Sequence, residues 1–430
     1  MNRTRTRTRT RTRTCILTLI TPLALAAANL LANTAVAQPQ QKVSPPEAQA
    51  WIDLATYSGF GMPGLAGGGG GDAPGAMAML GGLLGNATGL NTNRFGHTRS
   101  GIGGRWMDVT VSSRKQALSD ATLAVPPGSG LAPVLNLKSP KAAPPPPSRP
   151  DDDRDIEPVE QEKPKGKVSL YWGCGDTVRP GQPRTVDFAT ALPQDLMQIF
   201  NGRRATQRGT HSAVGRPIWP NESDGRMVPK SATLVGEMSI AGAGLPDNFR
   251  FTLPPQQDLM PPLDLQQADA GGATQLSWSA LPTARGFFAA AMGARKGEET
   301  HMVLWVSSEV PDSGFGLVDY QTDPAVDRWL KEKVLLPSGT TNCTIPKEVF
   351  GGEGAMVRLI AYGSELNLAY PPRPTDARVA WDPQWAVKVR LKSVASAMLG
   401  MEAGARRTEN KPEEDRKPSA LDRLRGILGR

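Results

Sequence analysis

Residues 385–392, Trp385-Ala-Val-Lys-Val-Arg-Leu-Lys392, carry the clearest secondary-structure signal in the chain. Apolar residues recur at every second position, and cationic residues occupy positions between them. A period of two is that of a β-strand, whose successive side chains point to opposite faces. The apolar face is formed by Trp385, Val387, Val389 and Leu391, and the other face carries Lys388, Arg390 and Lys392 beside Ala386.

Similar patterns predict strands along most of the chain. Ordered structure is predicted to begin at Arg105, where alternation over residues 107–112 is typical of a half-buried strand. Further strands are predicted at 120–125, 134–137, 167–172, 185–188, 232–239, 249–253, 275–280, 287–292, 302–306 and 356–362. One helix is predicted from Asp323-Pro324, because proline favours the first helical position. Short strands and dense turns predict a mainly β protein of two antiparallel β-sandwich domains with disordered flanks.

Composition limits the function classes. The 430 residues include 46 Gly and 39 Pro, so long helices cannot dominate. The formal net charge is +8, and Arg3, Arg5, Arg7, Arg9, Arg11 and Arg13 supply six of those charges. Without them the net charge is +2, which does not favour a nucleic-acid partner.

The first 37 residues are typical of a secretory signal. Six arginines precede an interrupted apolar run, and Ala35-Val-Ala37 is a small-x-small cleavage site. An uncleaved N-terminal anchor helix is the alternative. The signal predicts export to the periplasm, or secretion, by a Gram-negative cell.

The remaining chain divides by composition. Residues 38–104 are rich in Gly and Ala and are predicted to be poorly ordered, with a short helix near 45–57. Residues 105–262 form a first β domain, interrupted at 141–166 by a proline-rich and acidic insertion. Residues 263–400 form a second sandwich, and residues 401–430 a charged linker and a short amphipathic helix.

The second block has a family resemblance. Thr274-Gln-Leu-Ser-Trp278-Ser-Ala-Leu-Pro-Thr-Ala284-Arg-Gly-Phe287 resembles the B-to-C strand stretch of fibronectin type III and related immunoglobulin-like sandwiches. Residues 356–362 are similar to a later strand of that fold. The whole chain also resembles uncharacterised exported bacterial proteins that share Tyr171-Trp-Gly-Cys-Gly175, Cys343-Thr-Ile-Pro346 and Tyr370-Pro-Pro-Arg-Pro374. The resemblance implies binding or scaffolding by analogy of fold alone.

Cleavage of the signal leaves two cysteines, Cys174 and Cys343. Two cysteines in an oxidising compartment most simply form one disulfide, which here ties the first block to the second. Two unpaired thiols are the alternative.

Two segments are candidate ligand contacts. Tyr171 and Trp172 precede two glycines, so they form either an aromatic platform for a sugar or peptide, or a core pair beside the disulfide. The loop 201–230 has a local net charge of +4, and Arg203, Arg204, Arg208 and Trp219 in it could hold an acidic polysaccharide or form a solvated loop.

The C-terminal residues 419–430 place leucines and arginines at helical spacing, which suits peripheral contact with an anionic membrane or a partner groove.

The sequence contains no motif for a metal site or for a catalytic serine. The three histidines are isolated from one another, and no Cys-x-x-Cys pair exists, so no metal site and no cofactor are predicted. Gly-x-Ser-x-Gly is absent, and no catalytic residue is predicted. Two carboxylates brought together from distant strands would still suffice for glycoside cleavage.

These observations favour a non-enzymatic envelope protein that acts in binding, adhesion or scaffolding, with an envelope protein or polysaccharide as partner. A secreted polysaccharide-active enzyme, a glycoside hydrolase or lyase, is the alternative.

Export makes a direct prediction. We expect the mature protein to begin at Gln38, because cleavage follows Ala37. Intact-mass and N-terminal peptide measurements on the periplasmic fraction test this. Protein retaining residues 1–37 in that fraction would contradict it.

Overall fold

A computed structural model of the chain describes residues 41–59, 93–100, 103–142, 166–192, 194, 202–206, 208–295, 297–350 and 354–399. Predictions made for four segments lie outside the described residues. They are the signal 1–37, the glycine-rich stretch 60–92, the acidic run 151–162 and the C-terminal segment 401–430.

The described residues are mainly β, as predicted. The helices described in full are two α-helices, α1 (His97–Ser100) and α2 (Asp323–Lys331), and two single-turn 3₁₀-helices, Pro127–Ser129 and Pro255–Gln257. The strands are β1 (Ala48–Gly59), β2 (Gly104–Ser113), β3 (Asp120–Ala124), β4 (Val134–Lys138), β5 (Lys167–Trp172), β6 (Arg184–Asp187), β7 (Ile218–Trp219), β8 (Gly236–Ala241), β9 (Arg250–Leu253), β10 (Gln266–Ala270), β11 (Ala273–Ser277), β12 (Gly286–Arg295), β13 (Glu298–Val306), β14 (Leu336–Pro337), β15 (Asn342–Ile345), β16 (Ala355–Tyr362), β17 (Leu366–Tyr370) and β18 (Trp385–Met398).

Fifteen of the described strands belong to one sheet, ordered β6-β5-β13-β12-β16-β18-β1-β2-β7-β4-β3-β8-β9, with β14 paired to β12 and β17 to β18. Its pairs are antiparallel except β1 with β18 and β5 with β13. Strands from both predicted β domains therefore join one hydrogen-bonded sheet, while the domain boundary at 262/263 stays a prediction.

β1 connects the two parts of this sheet. It pairs over its full length with β18, Ala48 opposite Trp385 through Gly59 opposite Ser396, and on its other side with β2. The prediction of a helix at 45–57 is wrong, as is the start of order at Arg105. The reason is that both faces of β1 are buried, so its sequence lacks the alternation of a half-exposed strand.

The remaining three strands form a small sheet, β10-β11-β15, that covers one face of the long sheet. Leu276 and Ile345 of the small sheet share one apolar core with Phe287 and Val389 of the long sheet. Trp278 packs on Phe287 with ring centroids 5.5 Å apart. Facing apolar surfaces of this kind supply most of the stabilisation of β structure.

The other face of the long sheet is covered as well. Trp329 of α2 packs in a second apolar cluster with Phe288 of β12 and Tyr362 of β16. β2, predicted to be half-buried, is buried on both faces along its centre because Asp108 and Thr110 are also covered.

A minor unit comprises residues 41–44 and 374–381 of the described chain. Val43 and Trp381 form an isolated parallel bridge, with the Ser44 amide donating to the Trp381 carbonyl at 2.9 Å. Among the described residues, no helix is long and apolar enough to cross a membrane.

The predicted disulfide is confirmed. Cys174 and Cys343 are bonded, with their Cα atoms 5.3 Å apart. Cys174 follows β5 of the long sheet, and Cys343 lies on β15 of the small sheet. The bond therefore ties the two facing sheets together across 169 sequence positions.

Replacing both cysteines should destabilise the protein. We expect Cys174→Ala with Cys343→Ala to lower the free energy of unfolding by about 2–5 kcal/mol, because the cross-link restricts the unfolded chain. Denaturant titration of wild type and double variant measures the difference. A reductant should destabilise wild type and leave the double variant unchanged. Two titratable thiols in the unreduced mature protein would contradict the bond.

Candidate functional site

Tyr171 occupies a core position, one of the two sequence interpretations, whereas a ligand contact at Trp172 stays a prediction. Tyr171 is buried in the main core, and Arg295 Nη1 donates to its hydroxyl at 3.3 Å. Trp172 is half-buried and contacts the apolar clusters of the opposite face. Gly173, which follows, has a φ of 92°, a conformation that favours glycine. Its carbonyl accepts a hydrogen bond from Trp305 Nε1 at 3.0 Å, so this turn is a core structure beside the disulfide.

Trp219 lies far from this pair in the sheet. Six strands separate its strand β7 from β5. Its side chain is 0% exposed and belongs to the main core. Burial leaves it no surface for a ligand, so the predicted ligand contact at Trp219 is corrected to a core position.

The three arginines of the loop have different surroundings. Arg203 Nη1 lies 3.0 Å from Asp312 Oδ2, and its Nε lies 3.3 Å from Glu332 Oε2, so its charge is paired. Arg204 and Arg208 are exposed, and an anionic ligand for them stays a prediction.

A serine, a histidine and a carboxylate are hydrogen-bonded in series at the edge of the sheet. Ser169 Oγ lies 2.8 Å from His301 Nε2, and His301 Nδ1 lies 3.1 Å from Glu298 Oε2. This is the order of groups in a hydrolase triad. However, Ser169 is 1% exposed in the middle of β5, and its hydroxyl is also bonded to Thr185 Oγ1 at 2.7 Å. The row is a structural link between strands, because no substrate can reach the hydroxyl.

A cluster of buried ionic groups lies on the face of β18, β1 and β2 that bears the lysines and arginine of the opening sequence. Arg390 donates two hydrogen bonds to Asp53, from Nε to Oδ1 at 2.7 Å and from Nη2 to Oδ2 at 2.6 Å. Thr210 Oγ1 donates to the same carboxylate at 2.7 Å, and Arg390 Nη1 donates to the Arg208 carbonyl at 2.9 Å. Burial alone would raise the pKa of Asp53, but the charge and hydrogen bonds of Arg390 hold it below the usual range.

Asp108 lies beside Asp53 on the neighbouring strand. Burial raises the pKa of the Asp108 carboxyl to about 7, and the Asp53 charge adds to the rise. Hydrogen bonds from the Thr98 hydroxyl and the Gly96 amide oppose it. Asp108 therefore binds α1 and its preceding turn to the sheet.

Lys392 completes the cluster. Its Nζ donates to the Val318 carbonyl at 3.2 Å and lies 4.5 Å from the centroid of the Tyr320 ring. Burial lowers the pKa of the Lys392 ammonium to about 8. Shifted pKa values often mark functional sites. Here every one of these side chains is buried beneath residues 93–100, 208–210 and 317–321, so the cluster holds the covering loops on the sheet.

An open concavity forms elsewhere, where β1 and β18 begin. It has a volume of about 530 Å³ and is lined by Glu47, Lys115, Asp247, Asn248 and Gln384, together with residues 244–246. Glu47 precedes β1, Lys115 follows β2, Asp247 and Asn248 lie in the β8–β9 turn, and Gln384 precedes β18. Four separate segments thus supply polar groups to one surface.

These polar groups hold one another in place. Lys115 Nζ lies 2.6 Å from Glu47 Oε2, and Asn248 Nδ2 donates to Gln384 Oε1 at 3.1 Å. Asn248 Oδ1 is buried without a hydrogen-bond partner. An unsatisfied amide oxygen is costly, and a ligand or water that donates to it would remove that cost.

A stack of three aromatic rings stands next to the concavity. Phe249 stacks on Trp385 at 4.9 Å, and Trp385 stacks on Tyr370 at 5.9 Å. Tyr370 is 44% exposed, and its backbone carbonyl accepts a hydrogen bond from the backbone amide of Gln384 at 2.7 Å. The stack fixes the orientation of an aromatic ring that is partly exposed to solvent.

This arrangement can bind a polyhydroxylated ring. Carboxylates accept hydrogen bonds, amides both donate and accept, and an ammonium donates, which together match the hydroxyls of a sugar. The face of Tyr370 offers an apolar surface to the C–H face of such a ring. A concavity with a few convergent polar groups is the usual form of a small-ligand site.

Sequence reasoning missed most of this site. Tyr370 lies in Tyr370-Pro-Pro-Arg-Pro374, a segment quoted only for its resemblance to other exported proteins. The polar residues are single residues in separate loops and form no motif. Only the strand pairing of residues 48 and 385 could have brought Glu47 and Gln384 together.

Among the described residues, no group of three or more His, Cys, Asp or Glu side chains could hold a metal ion. In comparisons with known proteins, no family model matches the chain, and no curated protein matches it.

The buried Asp108 makes stability depend on pH. Its folded-state pKa of about 7 lies above its ordinary value, so its stabilisation is present below about pH 4 and is lost as pH rises through 7. Three pKa units at about 1.4 kcal/mol each give about 4 kcal/mol. We expect the unfolding free energy of wild type to fall more steeply between pH 4 and 7 than that of Asp108→Asn.

Denaturant titrations across this pH range measure both slopes. Asp264→Asn, at an exposed position, is the matched control and should keep the wild-type slope. Equal slopes in wild type and Asp108→Asn would contradict the raised pKa.

Proposed function

We propose that this protein is an exported, non-catalytic binding protein of the cell envelope, and that the concavity beside Tyr370 holds a polysaccharide. The observation that carries this proposal is the aromatic stack ending at Tyr370 next to convergent carboxylate, amide and ammonium groups. A polymer chain suits an open concavity, because its neighbouring residues can extend past both ends.

Export is supported by the disulfide. Cys174 and Cys343 form a disulfide. Disulfides persist in oxidising compartments such as the periplasm and the extracellular space. The signal at 1–37 and the Gram-negative origin are part of the same proposal. Peripheral membrane contact through the C-terminal helix is a further part of it.

The finer fold proposal is a fibronectin III or immunoglobulin-like sandwich at 263–400. In immunoglobulin sandwiches strands A, B and E share one sheet, and C, F and G the other. The order β10-β11-β15 opposite β12-β16-β18 supports this correspondence. The fold departs from that pattern at β18, which stands in the place of strand G. There β18 pairs with β1 instead of forming the edge of the sheet. A second sandwich at 105–262 belongs to the same proposal.

A polysaccharide-active enzyme is the second candidate function. Glu47 and Asp247 place two carboxylates in the same concavity, and glycoside hydrolysis uses two carboxyl groups. Lys115 neutralises Glu47 in an ion pair, which favours a binding role for that carboxylate.

The proposal is tested by titrating purified mature protein with a panel of bacterial envelope polysaccharides. We expect saturable binding, and we expect Tyr370→Ala and Asn248→Ala each to weaken it by about tenfold or more. Val214→Ala, at a side chain that is 65% exposed on a different loop, is the control and should bind like wild type.

The outcomes separate the two functions. Binding without shortening of the polymer supports the binding protein. Release of shorter products, lost in both Glu47→Gln and Asp247→Asn, would replace it with the enzyme. Binding that Tyr370→Ala and Asn248→Ala leave unchanged would remove the concavity from either function.

A further inference from the structure

A second cavity lies over strands β12, β13 and β16, on the face opposite the small sheet. Its volume is about 60 Å³. Residues 313–318 form the wall that faces the strands. The apolar lining includes Ala290, Met292, Leu304, Phe315 and Met356.

Two polar groups in the lining have no partner. Arg358 Nε is buried without a hydrogen bond, and Ser313 Oγ, in a residue 8% exposed, is buried without one as well. Arg358 stands opposite Ala290 and Ser396 in the sheet, so neither cross-strand neighbour is an acid. Arg358 is half-buried as a whole, and leaving its buried Nε–H without an acceptor is costly.

Two acids are adjacent in sequence to lining residues, and both lie beside other arginines. Asp319, next to Val318, has its Oδ1 4.0 Å from Arg99 Nε. Asp312, next to Ser313, pairs with Arg203 at 3.0 Å and accepts from the Gly314 amide at 2.8 Å. Lys392 lies near both Asp319 and Arg358, and the Asp319 carboxylate offsets its charge. Arg358 Nε is therefore a donor in the cavity lining that no described side chain satisfies.

We propose that this cavity binds a small amphiphilic carboxylate, such as a short-chain fatty acid anion. The carboxylate would accept hydrogen bonds from Arg358 and Ser313, since a guanidinium matches the two oxygens of a carboxylate. The apolar tail would fill the remainder of the cavity. This site and ligand class are separate from the polysaccharide concavity and go beyond the proposed function.

The volume sets the size of the ligand. A water-sized group needs about 10–15 Å³ in this measure, so the cavity holds roughly four to six non-hydrogen atoms, enough for the tail of hexanoate with its carboxylate at Arg358. Acetate leaves most of the apolar wall uncovered, whereas hexanoate covers it. Each additional buried methylene should tighten binding by several-fold until the cavity is full.

The test is calorimetric titration of the mature, disulfide-bonded protein with hexanoate, 1-hexanol and acetate. We expect saturable binding of hexanoate, at least tenfold weaker binding of hexanol because it lacks the charge, and at least tenfold weaker binding of acetate because it lacks the tail. Arg358→Gln should weaken hexanoate binding by tenfold or more and leave hexanol binding unchanged.

Three variants complete the design. Ser313→Ala should weaken hexanoate binding to a smaller extent than Arg358→Gln. Ala290→Leu fills the cavity and should exclude hexanoate while the guanidinium remains. Arg216→Gln, at an exposed arginine in another loop, is the matched control and should bind like wild type.

Each contrary result overturns the proposal. Equal affinity for hexanoate and hexanol would remove the role of Arg358. Unchanged hexanoate binding in Arg358→Gln, in a variant that still unfolds cooperatively, would place the ligand elsewhere. Absence of saturable hexanoate binding to wild type would also end it.

Discussion

Arg390 donates two charge-assisted hydrogen bonds to Asp53, a residue 337 positions away in the chain. They are direct neighbours in the parallel pair of β1 and β18, the pair that joins the two parts of the long sheet. A shift of one residue in that pairing would turn every side chain of β1 to the opposite face. Such a shift would leave both charges buried without a partner, and removing one partner of a buried pair typically costs about 3–5 kcal/mol. The ion pair thus specifies register more than it adds net stability.

The loops over this face depend on the same pair. Thr210 and the Arg208 carbonyl bind Asp53 and Arg390 respectively, so residues 208–210 can lie only where both are in place. Tyr320 lies over Arg390 and Lys392, with 4.5 Å from its ring centroid to each charged group. Contacts between cations and aromatic faces offset part of the cost of burying the charges. The cationic face of β18 is therefore an interior surface.

Local pattern was sufficient for many strands and for one helix. The periodicity of residues 167–172 and 385–392 predicted β5 and the beginning of β18, and counting mature cysteines predicted the disulfide. Pattern failed at β1, because Trp51-Ile-Asp-Leu-Ala is buried on both faces and shows no clean alternation. It also could not show that Asp108 is covered, since a polar residue at every second position is typical of a solvent-facing side.

The candidate site was out of reach for a different reason. Its polar residues come from turns that precede or follow strands, and their proximity follows from pairings across hundreds of positions. The aromatic stack joins Phe249 at one end of the long sheet to Trp385 near its middle, which requires the sheet to curl. Single residues in such places carry no signal until the register of the sheet is known.

The shape of the candidate site therefore depends on the register of the β1–β18 pair. The Ala48 amide donates to the Gln384 carbonyl at 3.0 Å, and the Glu47 amide donates to the Pro383 carbonyl at 3.1 Å. These bonds continue the parallel pairing that Asp53 and Arg390 fix five and six residues further along β1 and β18. If that pairing slipped, Glu47 and Gln384 would no longer face the same concavity. Tyr370 would stay beside Trp385 through the pairing of β17 with β18, but the two rings would lose their place next to Glu47. The buried charges, although closed to solvent, thus determine the shape of the open site.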